Sequence, residues 1–145
     1  CRTYRYELRR VWDPTKPLVA FVGLNPSTAD ETVDDPTVRR WRGFAKAWGY
    51  GGFIVVNAYA LRSTDPKGLR RVTDPVGPEN DNAIRAAALA AGAVVACWGV
   101  HVKWRQRELR ALLRPHSPLC FGTTKHGFPK HPLYLPSDAT LEPWT

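Results

Sequence analysis

The chain of 145 residues has few cysteines, no C-x-x-C or H-x₃-H spacing and no long hydrophobic run. Its three cysteines form no C-x-x-C pair and cannot supply the four thiolates of an ordinary iron–sulfur cluster. Its four histidines lack the H-x₃-H spacing of zinc sites. No apolar run approaches the roughly 18 residues that cross a bilayer. We therefore expect no metal, no cofactor and no membrane partner.

The scarcity of cysteine also argues against a disulfide framework. Cys97 and Cys120 lie in apolar, strand-like runs, where a thiol is usually a small buried hydrophobe. A reduced, cytoplasmic protein is the simplest interpretation. Apolar residues make up 43% of the chain and charged residues 23%, which is ordinary for a soluble globular protein. We expect one domain over residues 1–145, present as a monomer.

Positive charge is what the sequence has in excess. It contains 21 Lys and Arg against 13 Asp and Glu, a net charge of +8. The segment from His101 to His131 holds seven basic residues and one acidic residue, a net charge of +6. Such a balance favours an anionic partner, with nucleic acid first, although many basic proteins bind none. We expect this segment to contact DNA phosphates, and Lys125 and Lys130 in particular.

Short apolar runs alternate with amphipathic stretches along the chain. The runs predict four buried strands, and the amphipathic stretches predict three helices. Residues 4–12 are typical of an edge strand or hairpin arm. The predicted strands are 18–22, 53–57, 93–98 and 117–121, and the predicted helices are 36–48, 78–91 and 101–113. This alternation predicts an α/β fold, a three-layer α/β/α domain with a central four-stranded parallel sheet.

In such sheets, ligands bind and react outside the carboxyl ends of the strands. Here those ends are followed by residues 23–26, 57–59, 98–101 and 122–134, and we expect the four tips to share one cleft. Taken singly, each tip has an ordinary structural interpretation. An Asn-Pro pair is common in turns, Asn57 is a reasonable strand-end cap, and His131-Pro132 suits a surface loop.

Together the tips resemble a known superfamily. The motifs are G-L-N-P-S at 23–27, N-A-Y-A-L-R-S-T at 57–64, V-A-C-W-G at 95–99 and H-P-L at 131–133. In order and spacing they are similar to the uracil-DNA glycosylase superfamily, in particular its mismatch-specific branch. The chain also resembles, more narrowly, a bacterial and phage family called domain of unknown function 1643. The motifs behind that second resemblance are G-L-N-P-S-T-A-D, D-D-P-T and H-P-L-Y-L-P.

The resemblance implies a uracil-DNA-glycosylase-like fold and a set of site residues. Catalytic roles fall on Asn25 and His131, and Asp34 is a further candidate from the acidic loop that follows the first strand. A backbone-binding role falls on Arg62. Residues that would bind the substrate are Gly23, Leu24, Pro26, Ser27, Asn57, Tyr59 and Pro132.

The chain departs from the superfamily at two of its motifs. Asn25 and Ser27 stand where the fastest uracil enzymes have aspartate and tyrosine, and Ser27 replaces the second glycine of the mismatch-specific branch. Leu133 stands where the last motif has serine. These departures bear on which base is recognised more than on the fold.

The chemistry of the candidates narrows their roles. The Asn25 amide does not titrate near neutral pH, so it orients water or contacts the sugar or base rather than acting as a base. His131 would donate to the leaving base or bind a phosphate. Tyr59, just beyond a strand, is a candidate for base stacking. Among the acidic residues, Asp35 suits a helix cap, whereas Asp34 or Asp30 suits a catalytic or water-positioning carboxylate.

The function expected is that of a DNA glycosylase-like protein. It would bind DNA and hydrolyse the N-glycosidic bond of a damaged, mismatched or modified base. Two alternatives stay open from the sequence. One is a nucleic-acid-binding module of the same fold without catalysis, and the other is an enzyme that acts on free nucleosides or nucleotides.

Overall fold

The computed structural model describes residues 4–26, 35–62, 74–102 and 104–145. Within these ranges the chain forms six strands, three α-helices and three short 3₁₀ helices. The strands are β1 (Leu8–Val11), β2 (Val19–Gly23), β3 (Gly52–Asn57), β4 (Ala93–Ala96), β5 (Leu119–Cys120) and β6 (Glu142–Pro143). The α-helices are α1 (Pro36–Ala47), α2 (Asn80–Ala90) and α3 (Arg105–Leu113). The 3₁₀ helices are Val100–Val102, Arg114–His116 and Pro132–Tyr134.

All six strands join one sheet in the order β1-β3-β2-β4-β5-β6. The four central strands are parallel, as the apolar runs predict, while β1 and β6 pair antiparallel at the two edges. The sheet is therefore mixed and six-stranded, and the expected four-stranded parallel sheet is its centre. The antiparallel position of β1 agrees with the edge strand expected over 4–12. β6 is two residues long and contains Pro143, which fits an edge position but gives no recognisable pattern.

The central strands are buried on both faces because helices cover both. Alternate residues of β2 and β3 contribute to two separate cores. Phe21 and Phe53 pack with Trp41 and Phe44 of α1 on one face. On the other face Ile54 packs with residues of α2 and α3. A strand that is covered on both faces of the sheet needs apolar residues at every position, which explains the continuous apolar runs in the sequence. The α/β, three-layer expectation is confirmed.

Helix α1 begins where the sequence predicts. The Asp35 carboxylate accepts a hydrogen bond from the Val38 amide at 2.9 Å, and Pro36 occupies the first helical position. This confirms the capping interpretation of Asp35. The third helix is shorter than expected, because residues 100–102 form a 3₁₀ turn after Gly99 and α3 begins at Arg105. Cys97 and Cys120 are buried free thiols, as expected. No described helix is long and apolar enough to span a membrane.

Candidate functional site

The carboxyl ends of β2 and β4 form a topological switch point. The chain leaving β2 crosses to β3 on one side, and the chain leaving β4 crosses to β5 on the other side. Because the two connections diverge, a crevice opens between the neighbouring strand tips, which is where open α/β sheets bind ligands. The tip of β2 is Gly23, followed by Leu24 and Asn25, and the tip of β4 is followed by residues 97–99.

The tips of β2 and β3 are held together beyond the last strand residues. Gly23 lies opposite Asn57, and the amides of Ala58 and Tyr59 donate to the carbonyls of Gly23 and Leu24 at 2.8 and 2.9 Å. A Cβ at Gly23 would lie 2.8 Å from Asn57 Oδ1 and 3.0 Å from the Trp41 ring. Position 23 therefore has no room for a side chain, and glycine lets the Asn57 amide lie directly against the backbone of β2.

Side chains from α2 and α3 fix the end of β3 from the other face. Asn80 Nδ2 donates to the carbonyls of Asn57 and Ala58 at 2.8 and 3.1 Å, and Arg105 Nε donates to the Ala58 carbonyl at 3.0 Å. Asn57 itself is 4% exposed. The predicted site residue Asn57 thus lies at the buried floor of this edge rather than at its surface.

Arg105 is buried, although the sequence places it in the basic segment expected to contact phosphates. Its side chain is 1% exposed and pairs with Asp81 at 2.5 Å and with Glu108 at 2.8 Å. The expectation that the whole segment faces DNA is therefore wrong for this residue. The spacing of Arg105 with the buried Leu109 and Leu113 is the signal that indicates an inward-facing position.

The loop that follows β5 returns to the tip of β4. The Gly99 amide donates to the Pro129 carbonyl at 2.9 Å. Gly99 has φ +77°, and a Cβ there would lie 3.5 Å from His131 Cβ. Arg40 of α1 donates to the carbonyls of Pro132 and Leu135, which fastens the loop to the helix that follows β2. The structure thus brings His131 and Pro132 to the same edge of the sheet as Asn25 and Asn57.

The surroundings of His131 favour the neutral form of its side chain. Burial lowers the pKa of the imidazole below its usual value, and the opposing effect of the Asp35 carboxylate, which raises the pKa, is smaller. Nδ1 accepts a hydrogen bond from the Leu133 amide at 3.2 Å. An imidazole that accepts at Nδ1 carries its proton on Nε2 when neutral. The second ring nitrogen is therefore a hydrogen-bond donor.

Asn25 is half-buried in the turn that follows β2. Its Nδ2 donates to the Pro26 carbonyl at 3.0 Å, which orients the amide along the turn. Leu24 packs partly against the core, and Pro26 is buried. Two further predicted residues, Ser27 and Asp34, lie outside the described residues, as does Asp30.

Tyr59 lies in the core and not on the surface. It is 3% exposed, and its hydroxyl donates to the Val102 carbonyl at 2.7 Å. Its ring face is therefore not open to a base, and the expected stacking role does not fit this position. The aromatic ring that is exposed nearby is Trp104, 61% exposed and 5.9 Å from the Tyr59 ring between centroids. Its place one residue before the buried Arg105 is the only sequence signal for this exposure.

The basic residues predicted to bind the DNA backbone are all exposed. Arg62 follows Leu61, which pairs with Tyr4 beside β3. Lys125 lies in a tight turn closed by the Gly127 amide, which donates to the Thr124 carbonyl at 2.9 Å. Lys130 lies next to His131, with its alkyl chain 3.9 Å from the Cβ position of Gly122. Both lysines therefore belong to the loop that carries His131.

Comparison with known proteins gives one match. The family model described as Protein of unknown function (DUF1643) matches residues 5–133, a span that includes the tips of the four parallel strands and the His131-Pro132 pair. No curated protein and no solved structure matches the chain.

Proposed function

This chain belongs to the DUF1643 family, whose function is not known, and we propose that it is a DNA glycosylase-like enzyme. In this proposal it binds DNA and hydrolyses the N-glycosidic bond of a damaged, mismatched or modified base. The fold would be that of the uracil-DNA glycosylases, which the four tip motifs resemble. The parallel centre of the sheet and the helices on both of its faces are compatible with that fold.

One observation carries the proposal. The loop after β5 folds back so that a neutral His131, protonated at Nε2, lies beside the tip of β4 and next to the switch point at which Asn25 ends the tip of β2. The Nε2–H of His131 and the amide of Asn25, at the same edge of the sheet, suit a reaction in which a departing base gains negative charge.

The reaction requires few protein groups. The bond between the sugar C1′ and the base nitrogen breaks, and its electron pair leaves with the base. His131 Nε2–H donates a hydrogen bond to that base, which stabilises the charge that develops in the transition state. Water then adds its oxygen to C1′ and releases a proton to solvent. The Asn25 amide orients this water or the sugar, since an amide does not take up the proton.

The charge distribution supports DNA as the substrate. Lys125 and Lys130 project from the loop that carries His131, and Arg62 follows the tip of β3. Phosphate contacts at these positions would hold a strand across the carboxyl edge of the sheet. Because each such contact releases counterions, binding would weaken steeply with salt. Lys16 provides a matched control, because it precedes β2 at the opposite edge of the sheet. Its Nζ lies 3.9 Å from Asp13 Oδ2.

A panel of oligonucleotides tests the proposal. Each duplex carries one uracil, mismatched or modified base, and both abasic sites and binding are scored. The proposal predicts abasic sites from at least one substrate, and a lower salt dependence of binding in Lys125→Ala with Lys130→Ala but not in Lys16→Ala. Binding without base release from any substrate would favour the inactive module. Base release from nucleosides alone would favour the free-nucleotide enzyme.

A further inference from the structure

A second feature lies beside the candidate site. A groove of about 540 Å³ is lined by Trp104, Gln106, Arg107, Arg110 and Phe128. It falls within the range of roughly 300–1,000 Å³ that is usual for ligand sites. Trp104 follows the tip of β4 through the Val100–Val102 turn, and Phe128 belongs to the loop that carries His131. The groove is therefore lined by residues from two segments that also form the candidate site, the segment after β4 and the loop that carries His131.

The indole ring of Trp104 is exposed but held in place. The rings of Tyr59 and Trp104 meet at an interplanar angle of 66° with their centroids 5.9 Å apart, and Tyr59 is fixed by its hydrogen bond to the Val102 carbonyl. The residue is nevertheless 61% exposed. A tryptophan ring that is mostly exposed and contacts an anchored tyrosine is a suitable platform for stacking a flat ligand.

The charges around the ring have one sign. Both charged residues that line the groove are arginines. Arg107 is exposed, and no residue in the described part of the chain accepts a hydrogen bond from it. Arg110 is held at the rim, with its guanidinium 4.5 Å from the centre of the Trp144 ring. The nearest acidic residue of α3, Glu108, is turned away and pairs with Arg105.

Gln106, which lines the groove, hydrogen-bonds to residues of two neighbouring elements. Gln106 Oε1 accepts from Trp98 Nε1 at 2.9 Å, and Gln106 Nε2 donates to the Gly127 carbonyl at 3.5 Å. The network joins α3 to the turn that carries Lys125. It therefore ties the start of α3, one residue after Trp104, to the basic turn.

We infer that this groove binds an unpaired DNA strand, with one base stacked on Trp104 and the phosphates next to it paired with Arg107 and Arg110. An aromatic ring flanked by arginines is the usual arrangement for single strands, because stacking accepts any base and the cations follow the backbone. A duplex would present no open base face to the ring. The inference rests on the DNA binding of the proposed function but not on base excision.

The test uses the full chain and a labelled oligodeoxythymidylate of about 12 nucleotides, as a single strand and as a duplex. Fluorescence anisotropy gives the affinity at several salt concentrations. We expect Trp104→Ala to weaken single-strand binding about 5- to 150-fold, and Trp104→Phe to retain most of the affinity. Leu89→Ala, which truncates an apolar residue of α2 that is 77% exposed, is expected to have no effect.

Arginine variants test the phosphate contacts separately. We expect Arg107→Gln to reduce the salt slope for the single strand by about 0.7, the value for one phosphate contact. Arg85→Gln removes an exposed arginine of α2 that donates to Asn82, and is expected to leave the slope unchanged. Thermal unfolding of each variant verifies that the fold is retained.

Several results would overturn the inference. One is equal single-strand affinity in wild type and Trp104→Ala, and another is an equal loss for single strand and duplex. A third is dissociation of a dimer by Trp104→Ala with DNA binding unchanged, which would assign the groove to a second copy of the chain. Base release is measured with the same protein samples on the oligonucleotide panel described above, because oligodeoxythymidylate carries no damaged, mismatched or modified base. Strand binding that depends on Trp104 without any base release would support the inference while contradicting the proposed catalysis.

Discussion

The backbone amide of Leu133 donates to Nδ1 of His131 at 3.2 Å. This contact closes the start of the Pro132–Tyr134 turn and at the same time selects the tautomer of the ring. One nitrogen is used for structure, and the other is left with its proton as a donor. The two roles can be separated by substitution, because Asn and Gln each reproduce one of the two nitrogen positions.

The first prediction concerns His131. In His131→Asn the amide oxygen takes the position of Nδ1 and still accepts from Leu133, whereas the donor at Nε2 is lost. We expect a folded protein with stability within about 1 kcal/mol of wild type and base release slowed about a hundredfold. His131→Gln places its amide near Nε2 and is expected to retain more activity with less stability. Urea unfolding and single-turnover base release measure the two effects. Unchanged base release in His131→Asn would mean that the histidine is only a loop cap.

The second prediction is the pH dependence of stability. Burial holds the pKa of His131 below the value of about 6.5 that the unfolded chain has. Below pH 6.5 the unfolded state therefore binds more protons, and the free energy of unfolding falls as the pH decreases through the folded pKa. Above pH 6.5, His131 does not make the free energy of unfolding depend on pH.

Variants isolate the contribution of this one histidine. We expect His131→Asn to flatten the stability profile below pH 6.5, and His126→Asn, in an exposed turn, to leave it as in wild type. Urea unfolding at a series of pH values gives both profiles. Parallel profiles for wild type and His131→Asn would show that the imidazole is not buried in solution as it is here.

The third prediction concerns Arg105. Its buried guanidinium has two carboxylate partners, Asp81 and Glu108. Removing both charges in Asp81→Asn with Glu108→Gln leaves a buried cation without an anion, and we expect a loss of about 3 kcal/mol of stability. Each single variant retains one partner and is expected to lose less than half of that, so the effects are not additive. Glu79→Gln, at the start of the same helix as Asp81, is the control in urea unfolding. Additive losses would indicate that the two pairs act independently.

The fourth prediction compares two glycines. A Cβ at Gly23 would lie 2.8 Å from Asn57 Oδ1, whereas a Cβ at Gly43, on the exposed side of α1, meets nothing within 4 Å. We expect Gly23→Ala to lose about 2 kcal/mol because the buried Asn57 or Trp41 must shift. Gly43→Ala is expected to gain about 1 kcal/mol from helix propensity.

The two glycine variants also test whether the buried Asn57, at the carboxyl edge of the sheet, matters for base release. If the position of Asn57 supports base release, Gly23→Ala slows it even at a temperature at which the protein is fully folded, and Gly43→Ala does not. Equal base release in both variants would contradict the idea that tight packing around Gly23 supports base release. Circular dichroism at the assay temperature verifies that both are folded.

The parallel centre of the fold follows from the sequence because burial on both faces demands continuous apolar runs. Residues 18–22 and 53–57 were predicted as strands of a covered sheet, and the structure has β2 and β3 there, at Val19–Gly23 and Gly52–Asn57. The helix cap at Asp35 was equally predictable, because it depends only on this aspartate and on the proline that follows it at the first helical position. β6 was not, because its two residues are set by pairing with β5 and have no pattern of their own.

The candidate site was predictable in its location but not in the orientation of its side chains. The position of strand ends follows from topology, so Asn25, Asn57 and His131 were expected at one edge. Whether Tyr59 or Trp104 faces solvent depends on how the Val100–Val102 turn packs, which is a tertiary effect. The burial of Arg105 likewise depends on partners contributed by α2 as well as α3. Local sequence gives the helical spacing of Arg105 with Leu109 and Leu113, but neither the partners of Arg105 nor the packing of the turn.

The most direct test of the central claim is single-turnover base release for wild type and Asn25→Ala on the best substrate of the oligonucleotide panel. Asn25 lies at the tip of β2, and its amide is oriented by the turn that it forms with Pro26. We predict that the variant releases the base about a hundredfold more slowly, roughly 3 kcal/mol of barrier, while its DNA affinity changes little. Asn25→Asp, measured beside it, shows whether a titratable group at this position assists the reaction. Equal rates in wild type and Asn25→Ala would contradict the account, because the tip of β2 would then be a structural turn and not a catalytic one.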